Sequence, residues 1–150
     1  MLSAKAKYGL KAVLYLADRE GQGGCLIADI AKSEQIPKKF LDTILLELKN
    51  NGLLHSKKGK GGGYVLARPA AKITAGQIVR ILDGPLAPIA CVSYTAYKPC
   101  LDCPDENACR IRKIMQKVRD ATAGSLRPSS RRTIRTLSKA WRSNGSMLQR

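Results

Sequence analysis

The chain has 150 residues, 44% of them hydrophobic, which suits one domain built around a real apolar core. Its 27 Lys and Arg outweigh 11 Asp and Glu for a formal net charge of +16, so polyanions, nucleic acid foremost, are the expected partners. No apolar run reaches the roughly 18 to 20 residues that span a bilayer, and AVLYLA is too short for a secretory signal core; a cytoplasmic protein with no membrane partner is expected.

Tyr8, Leu10, Val13, Leu14, Leu16 and Ala17 recur at three- and four-residue spacing, which predicts an amphipathic helix over about residues 3–19. GQGG ends it. Leu26, Ile27, Ile30 and Ala31 mark a short second helix, stopped by SEQIP. Pro37 suits the first position of a third helix, whose apolar stripe is Phe40, Leu41, Ile44, Leu45 and Leu48 and whose stop is Gly52. Two helices joined by a tight turn are the outline of a helix-turn-helix.

LLHS (53–56) and YVLA (64–67) can each form a strand, and KKGKGGG lies between them. A Gly-rich tip carrying Lys57, Lys58 and Lys60 predicts a β-hairpin wing able to bring its backbone close to a ligand. GKGGGY lacks the spacing and the GK[ST] ending of a phosphate-binding Walker loop. Thr74 is a candidate cap for a fourth helix through Ile78, Val79, Ile81 and Leu82, closed by Gly84. From Pro104 a longer helix is predicted, with Asp105 and Glu106 at its positive end and a stripe of Ile111, Ile114, Met115 and Val118. A long helix in this place behind a winged helix-turn-helix is expected to join two copies, the alternative being a helix that packs on its own domain. From Arg127 the chain is polar and basic without an acid, and a flexible or partly helical tail is expected. The resulting partition is a DNA-binding domain (1–84), a cysteine-rich loop (85–104), a dimerisation helix (105–126) and a basic tail (127–150). The fold class is mainly α with a small β-hairpin wing. No carboxylate pair, catalytic triad or cofactor loop points to an enzyme.

Four of the five cysteines fall in CVSYTAYKPCLDCPDENAC: Cys91, Cys100, Cys103 and Cys109. In a reducing compartment such clustering suggests a metal or a redox switch before structural disulfides. Cys25 stands apart and is expected to be a buried structural thiol. The single histidine, His55, sits at the start of the wing.

Taken together, LSAKAKYGLKAVLYLA, LIADIAKSEQIPKKFLDTILLELKNNGLLHSKKGKGGGYVLAR, ITAGQIVRILDG and the cysteine loop resemble the bacterial Rrf-type winged-helix regulators, over roughly residues 1–125. That resemblance implies a homodimer that binds palindromic double-stranded operator DNA. It places the third helix in the major groove, with Lys38, Lys39, Asp42 and Thr43 as candidates for base edges or adjacent phosphates. Those side-chain types suit base and phosphate contacts, since Asp accepts from cytosine N4, Thr meets a thymine methyl, and Lys meets guanine or phosphate. It also implies a minor-groove role for Lys58 on the wing, beside Lys57 and Lys60, and phosphate contacts for Lys5, Lys7 and Tyr8. The competing reading of each lysine is plain solubility.

Regulators of the IscR, NsrR and RirA kind within this family hold an iron–sulfur cluster on three cysteines in this loop. By resemblance, Cys91, Cys103 and Cys109 match those positions, and Cys100 is an added thiol. The fourth-ligand positions of the family carry Arg112 and Lys7 here, neither a ligand, so Cys100 becomes the candidate fourth ligand of a [2Fe–2S] or [4Fe–4S] cluster. Zinc on the four thiols and a metal-free thiol switch are the alternatives. A rival from another class is a basic nucleic-acid-binding structural protein stabilised by zinc.

Overall fold

The computed structural model describes residues 2–126 and 133–145. Six helices and one hairpin follow in chain order: α1 (Ala4–Asp18), α2 (Ile27–Glu34), α3 (Lys38–Asn50), β1 (Leu54–Lys57), β2 (Gly63–Leu66), α4 (Ala75–Asp83), α5 (Arg110–Leu126) and α6 (Ile134–Gly145). Single 3-10 turns occupy Ala70–Lys72 and Ala90–Val92. The chain is mainly helical, with a two-stranded antiparallel wing behind a helix-turn-helix, as the residue spacing predicts.

The boundaries follow local chemistry. Ser3 caps α1 by accepting from the Ala6 amide at 3.0 Å. Thr74 and Gln77 form a reciprocal capping box at the start of α4, and Gly84 ends that helix at φ 86. Between α2 and α3, Gln35 takes a left-handed conformation, and the Ile36 amide donates to Ala31 O at 3.0 Å. Pro37 follows as the cap of α3 rather than its first residue. This tight turn fixes the angle at which α3 leaves α2.

The apolar faces converge on one core. Leu41, Ile44, Leu45 and Leu48 of α3 are fully buried, together with Ala12 and Val13 of α1, Ile30 of α2, Leu53 and Leu54 at the start of the wing, and Ile78 of α4. Burying each large aliphatic side chain stabilises the fold by about 1.5–3 kcal/mol. Gly9 lets α4 approach α1: an added Cβ would lie 2.2 Å from Leu82 Cδ1. Phe40 departs from the expected stripe and is 42% exposed, with its ring edge-on to Tyr8 at 5.8 Å.

One other expectation changes: the residues from Pro104 to Cys109 form turns, and α5 begins at Arg110. The segment expected to be flexible or partly helical contains helix α6: Thr133 bridges Thr74, Ile134 is fully buried, and α6 packs on α1 with a Ser138–Asp18 hydrogen bond. Residues 127–132 and 146–150 of that tail lie outside the described residues.

Candidate nucleic-acid interface and cysteine loop

With its apolar stripe in the core, α3 turns Lys38, Lys39, Asp42 and Thr43 to solvent. Leu46, which sequence reading passed over, shares this face and is 50% exposed. Thr43 Oγ1 donates to Lys39 O at 3.5 Å, one turn back, which holds its hydroxyl against the helix.

The wing carries Lys57, Lys58 and Lys60, all exposed, on a tip whose glycines 59, 61 and 63 have positive φ. β1 and β2 pair in the register Leu54–Leu66 to Lys57–Gly63. The wing is also tied to the body by a contact the sequence did not announce. The Cys25 amide donates to Tyr64 O at 2.9 Å, the Tyr64 amide donates back to Cys25 O at 2.8 Å, and the Gly24 amide donates to Gly61 O at 3.2 Å. Gly63 is required there, since a Cβ at that position would lie 2.3 Å from Cys25 O. Cys25 itself is buried, and burial pushes its thiol pKa up. His55 is exposed on β1 opposite Val65.

On α1, Lys7 is exposed, Tyr8 is half-buried against Phe40, and Lys5 is ion-paired with Glu47 of α3 at 2.5 Å. Lys11 Nζ donates to Glu34 O at 2.8 Å and satisfies the carbonyl end of α2. The body therefore offers a basic, polar face on α3 and a rigidly tethered basic wing behind it. A protein surface of this kind matches duplex DNA in shape and in sign of charge.

The cysteine loop joins this body to α5. Cys91 is buried in the Ala90–Val92 turn, whereas Cys100, Cys103 and Cys109 are half-buried. The Cys109 thiol beside Cys103 raises the pKa of Cys103. Cys109 stands immediately before α5. Its sulfur accepts from the Arg112 backbone amide at 3.4 Å, and this bond together with the Cys103 thiol lowers its pKa. Cys103 Sγ also donates to Asp105 O at 3.4 Å.

Glu106 is the centre of the loop's polar network. Its carboxylate accepts from Tyr97 Oη and from the Cys100 amide, each at 3.1 Å, and pairs with Arg112 Nε at 3.4 Å. The carboxylate raises the pKa of the Tyr97 hydroxyl. No spacing rule could have found this hub, because two partners come from irregular chain and the third, Arg112, from α5.

The donor set has the chemistry of an iron–sulfur or zinc site, with four thiols on one loop. The arrangement does not gather them: among the described residues, no three His, Cys, Asp or Glu side chains converge on one ion position. The expected four-cysteine ligand set is thus present in composition, while the folded loop brings together the Cys103–Cys109 pair.

Residues 2–137 match the Rrf2 family, described as iron-dependent transcriptional regulators. The chain belongs to the Rrf2 family. An rrf2-like helix-turn-helix transcriptional regulator of Rhodobacter capsulatus is 45% identical over 121 residues, 79% of this chain and 81% of that protein. IscR of Escherichia coli is 33% identical over 82 residues, 55% of this chain and 51% of IscR. The solved structure of Bacillus subtilis CymR, described as the global cysteine regulator, superposes with a TM-score of 0.76 at 29% identity and covers 93% of this chain and 97% of CymR. As an Rrf2-family transcriptional regulator, the protein is a DNA-binding protein and not an enzyme. No helix among the described residues is long and apolar enough to cross a membrane.

Proposed function

We propose that this Rrf2-family protein is a homodimeric, cytoplasmic repressor or activator that reads palindromic operator DNA through α3 and the wing, with operator affinity set by the state of its cysteine loop. The observation that carries the proposal is the position of the loop. All four of its cysteines lie between the DNA-reading body and α5, so any change in their chemistry falls on the joint between the two.

Lys39, Asp42 and Thr43 would meet base edges, and Lys38, the wing lysines, Lys7 and Tyr8 would meet phosphate or minor groove. Lys5 contributes less directly, since its ammonium already pairs with Glu47. On α5, Ile111, Ile114 and Val118 are 63%, 57% and 44% exposed and form one stripe at helical spacing. A second copy of α5 is the fitting cover for that stripe, and it would set the two recognition helices about one turn of DNA apart.

Cys91, Cys100, Cys103 and Cys109 would hold an iron–sulfur cluster, which supplies iron- and oxidant-sensitive chemistry when bound. The chain's own part is to hold the loop against α5 through Glu106 and Arg112. A second reading is favoured by the neighbouring Cys103 and Cys109 thiols: one has a raised and one a lowered pKa, and the Arg112 amide donates to the Cys109 sulfur, which suits a metal-free thiol switch.

Anaerobic purification, followed by an absorption spectrum with iron, sulfide and zinc assays, tests the cluster reading. It expects a coloured protein with iron and sulfide in stoichiometric amounts, and a Cys100→Ala variant whose cluster is less stable. A colourless protein with stoichiometric zinc overturns it. A colourless, metal-free protein that forms a Cys103–Cys109 disulfide on mild oxidation establishes the second reading instead.

A further inference from the structure

α5 grips the sensor loop at two points, and both are arginines. Arg112 Nε donates to Cys91 O at 3.4 Å, and Arg119 Nη1 donates to Val92 O at 2.8 Å. The acceptors are consecutive carbonyls of the Ala90–Val92 turn, and the donors stand seven residues apart, two helical turns on one face of α5.

Each arginine is itself held in place. Arg112 pairs with Glu106, the residue that also accepts from the Cys100 amide. Arg119 is 9% exposed, lies over the Tyr94 ring at 3.8 Å, and pairs with Asp120 at 2.9 Å. A guanidinium that is buried, stacked and bonded to a backbone carbonyl is a rigid strut, because its planar fork loses little freedom on bonding. At about 100° per residue, the arginine face lies roughly a third of a turn from the exposed Ile111–Ile114–Val118 stripe. One face of α5 therefore holds the turn that carries Cys91, and the neighbouring face is open to a second helix.

We propose that Arg112 and Arg119 are positioning residues forming a two-point clasp, through which the place of Cys91 in its turn sets the placement of α5. The clasp deepens the sensor reading given above, and its link to DNA rests on that reading. A change at Cys91 that shifts the Ala90–Val92 turn pulls on both struts at once, so α5 moves as a unit rather than bending at its first turn.

The test uses the full chain, chelator-treated and fully reduced, with the single variants Arg112→Gln, Arg119→Met and Arg119→Lys. The first readout is the labelling rate of each thiol by a small maleimide, read by peptide mass spectrometry. Arg119→Met should speed labelling of Cys91 at least tenfold, Arg112→Gln should do so to a lesser degree, and labelling of Cys25 should stay unchanged. Arg119→Lys should restore part of the protection. Unchanged Cys91 labelling in both Arg112→Gln and Arg119→Met overturns the clasp. Equal acceleration at Cys25 also overturns it, because that reports general loosening of the fold.

The second readout is affinity for a duplex selected from random sequence by the wild-type protein, with the loop thiols free and then blocked. The clasp expects the wild type to show a difference that Arg119→Met loses while keeping its thiol-free affinity. If the wild type binds equally in both states, the sensor reading fails and the labelling result alone decides the clasp. If the wild type responds and Arg119→Met responds equally, the clasp fails and the sensor reading stands.

Discussion

Cys109 and Cys103 show how surroundings divide two identical side chains. The Arg112 amide at the start of α5, and the Cys103 thiol beside it, favour the Cys109 thiolate, while the nearby Cys109 disfavours ionisation of Cys103. As pH falls, the Cys103 thiolate is therefore lost first and Cys109 keeps its reactivity to lower pH. Iodoacetamide alkylation of the reduced, metal-free protein across a pH series should show this order, and coincident profiles for the two thiols would contradict it. Gly63 makes a second point at this scale. Its φ of +128 and the 2.3 Å clearance to Cys25 O leave no room for a methyl. Gly63→Ala should cost about 1–3 kcal/mol of stability and release the wing from Cys25, read as a lowered melting temperature with weakened DNA binding. The Gly-rich motif was visible in the chain, and so was the isolation of Cys25. Their meeting was not, because a backbone bridge between residues 25 and 64 leaves no trace in side-chain pattern. The roles of Glu106, Tyr94 and Arg119 escaped sequence reading because their partners lie across the fold in an irregular loop and on α5, at no regular spacing.

The elements of the body were legible almost to the residue. The Thr74–Gln77 capping box, Pro37 and the glycines at 52 and 84 act locally, and the buried stripe of α3 needs only a period of 3.6. The start of α5 was misplaced by about six residues. Asp105 and Glu106 look like first-turn acids, yet Glu106 is drawn away by Tyr97, the Cys100 amide and Arg112, and tertiary contacts override the local preference. The stripe of α5 was correctly read as apolar, but Ile111, Ile114 and Val118 stay exposed among the described residues. In the tail a helical part was among the expectations, but its basic composition gave no sign that Ile134 and Thr133 anchor α6 to the body. The wing carries its own prediction. Replacing Lys58 by Ala should weaken binding to all sequences alike and lower the salt slope of log K by about one. A loss confined to one operator sequence would instead assign Lys58 to base reading.

At the scale of the whole molecule, net charge, exposed helix face and cysteine loop must act together. A charge of +16 supplies attraction to any duplex, so specificity has to come from presenting two recognition helices at a fixed separation. Ile114→Glu places a carboxylate in the centre of the open α5 stripe. It should give a monomer by sedimentation equilibrium, with operator affinity falling towards the nonspecific level while the thermal unfolding of the body is little changed. A dimer that survives this substitution would move the interface elsewhere. Coupling between the loop and DNA is expected to be about 1–3 kcal/mol, the usual range for linked sites. Its most direct measurement is the affinity of the anaerobically purified protein for a selected palindromic operator at fixed salt, compared with the same protein after its loop has been stripped of any metal and its thiols blocked. Regulation through the cysteine loop predicts that the two affinities differ by about 5- to 150-fold, whereas equal affinities would contradict it.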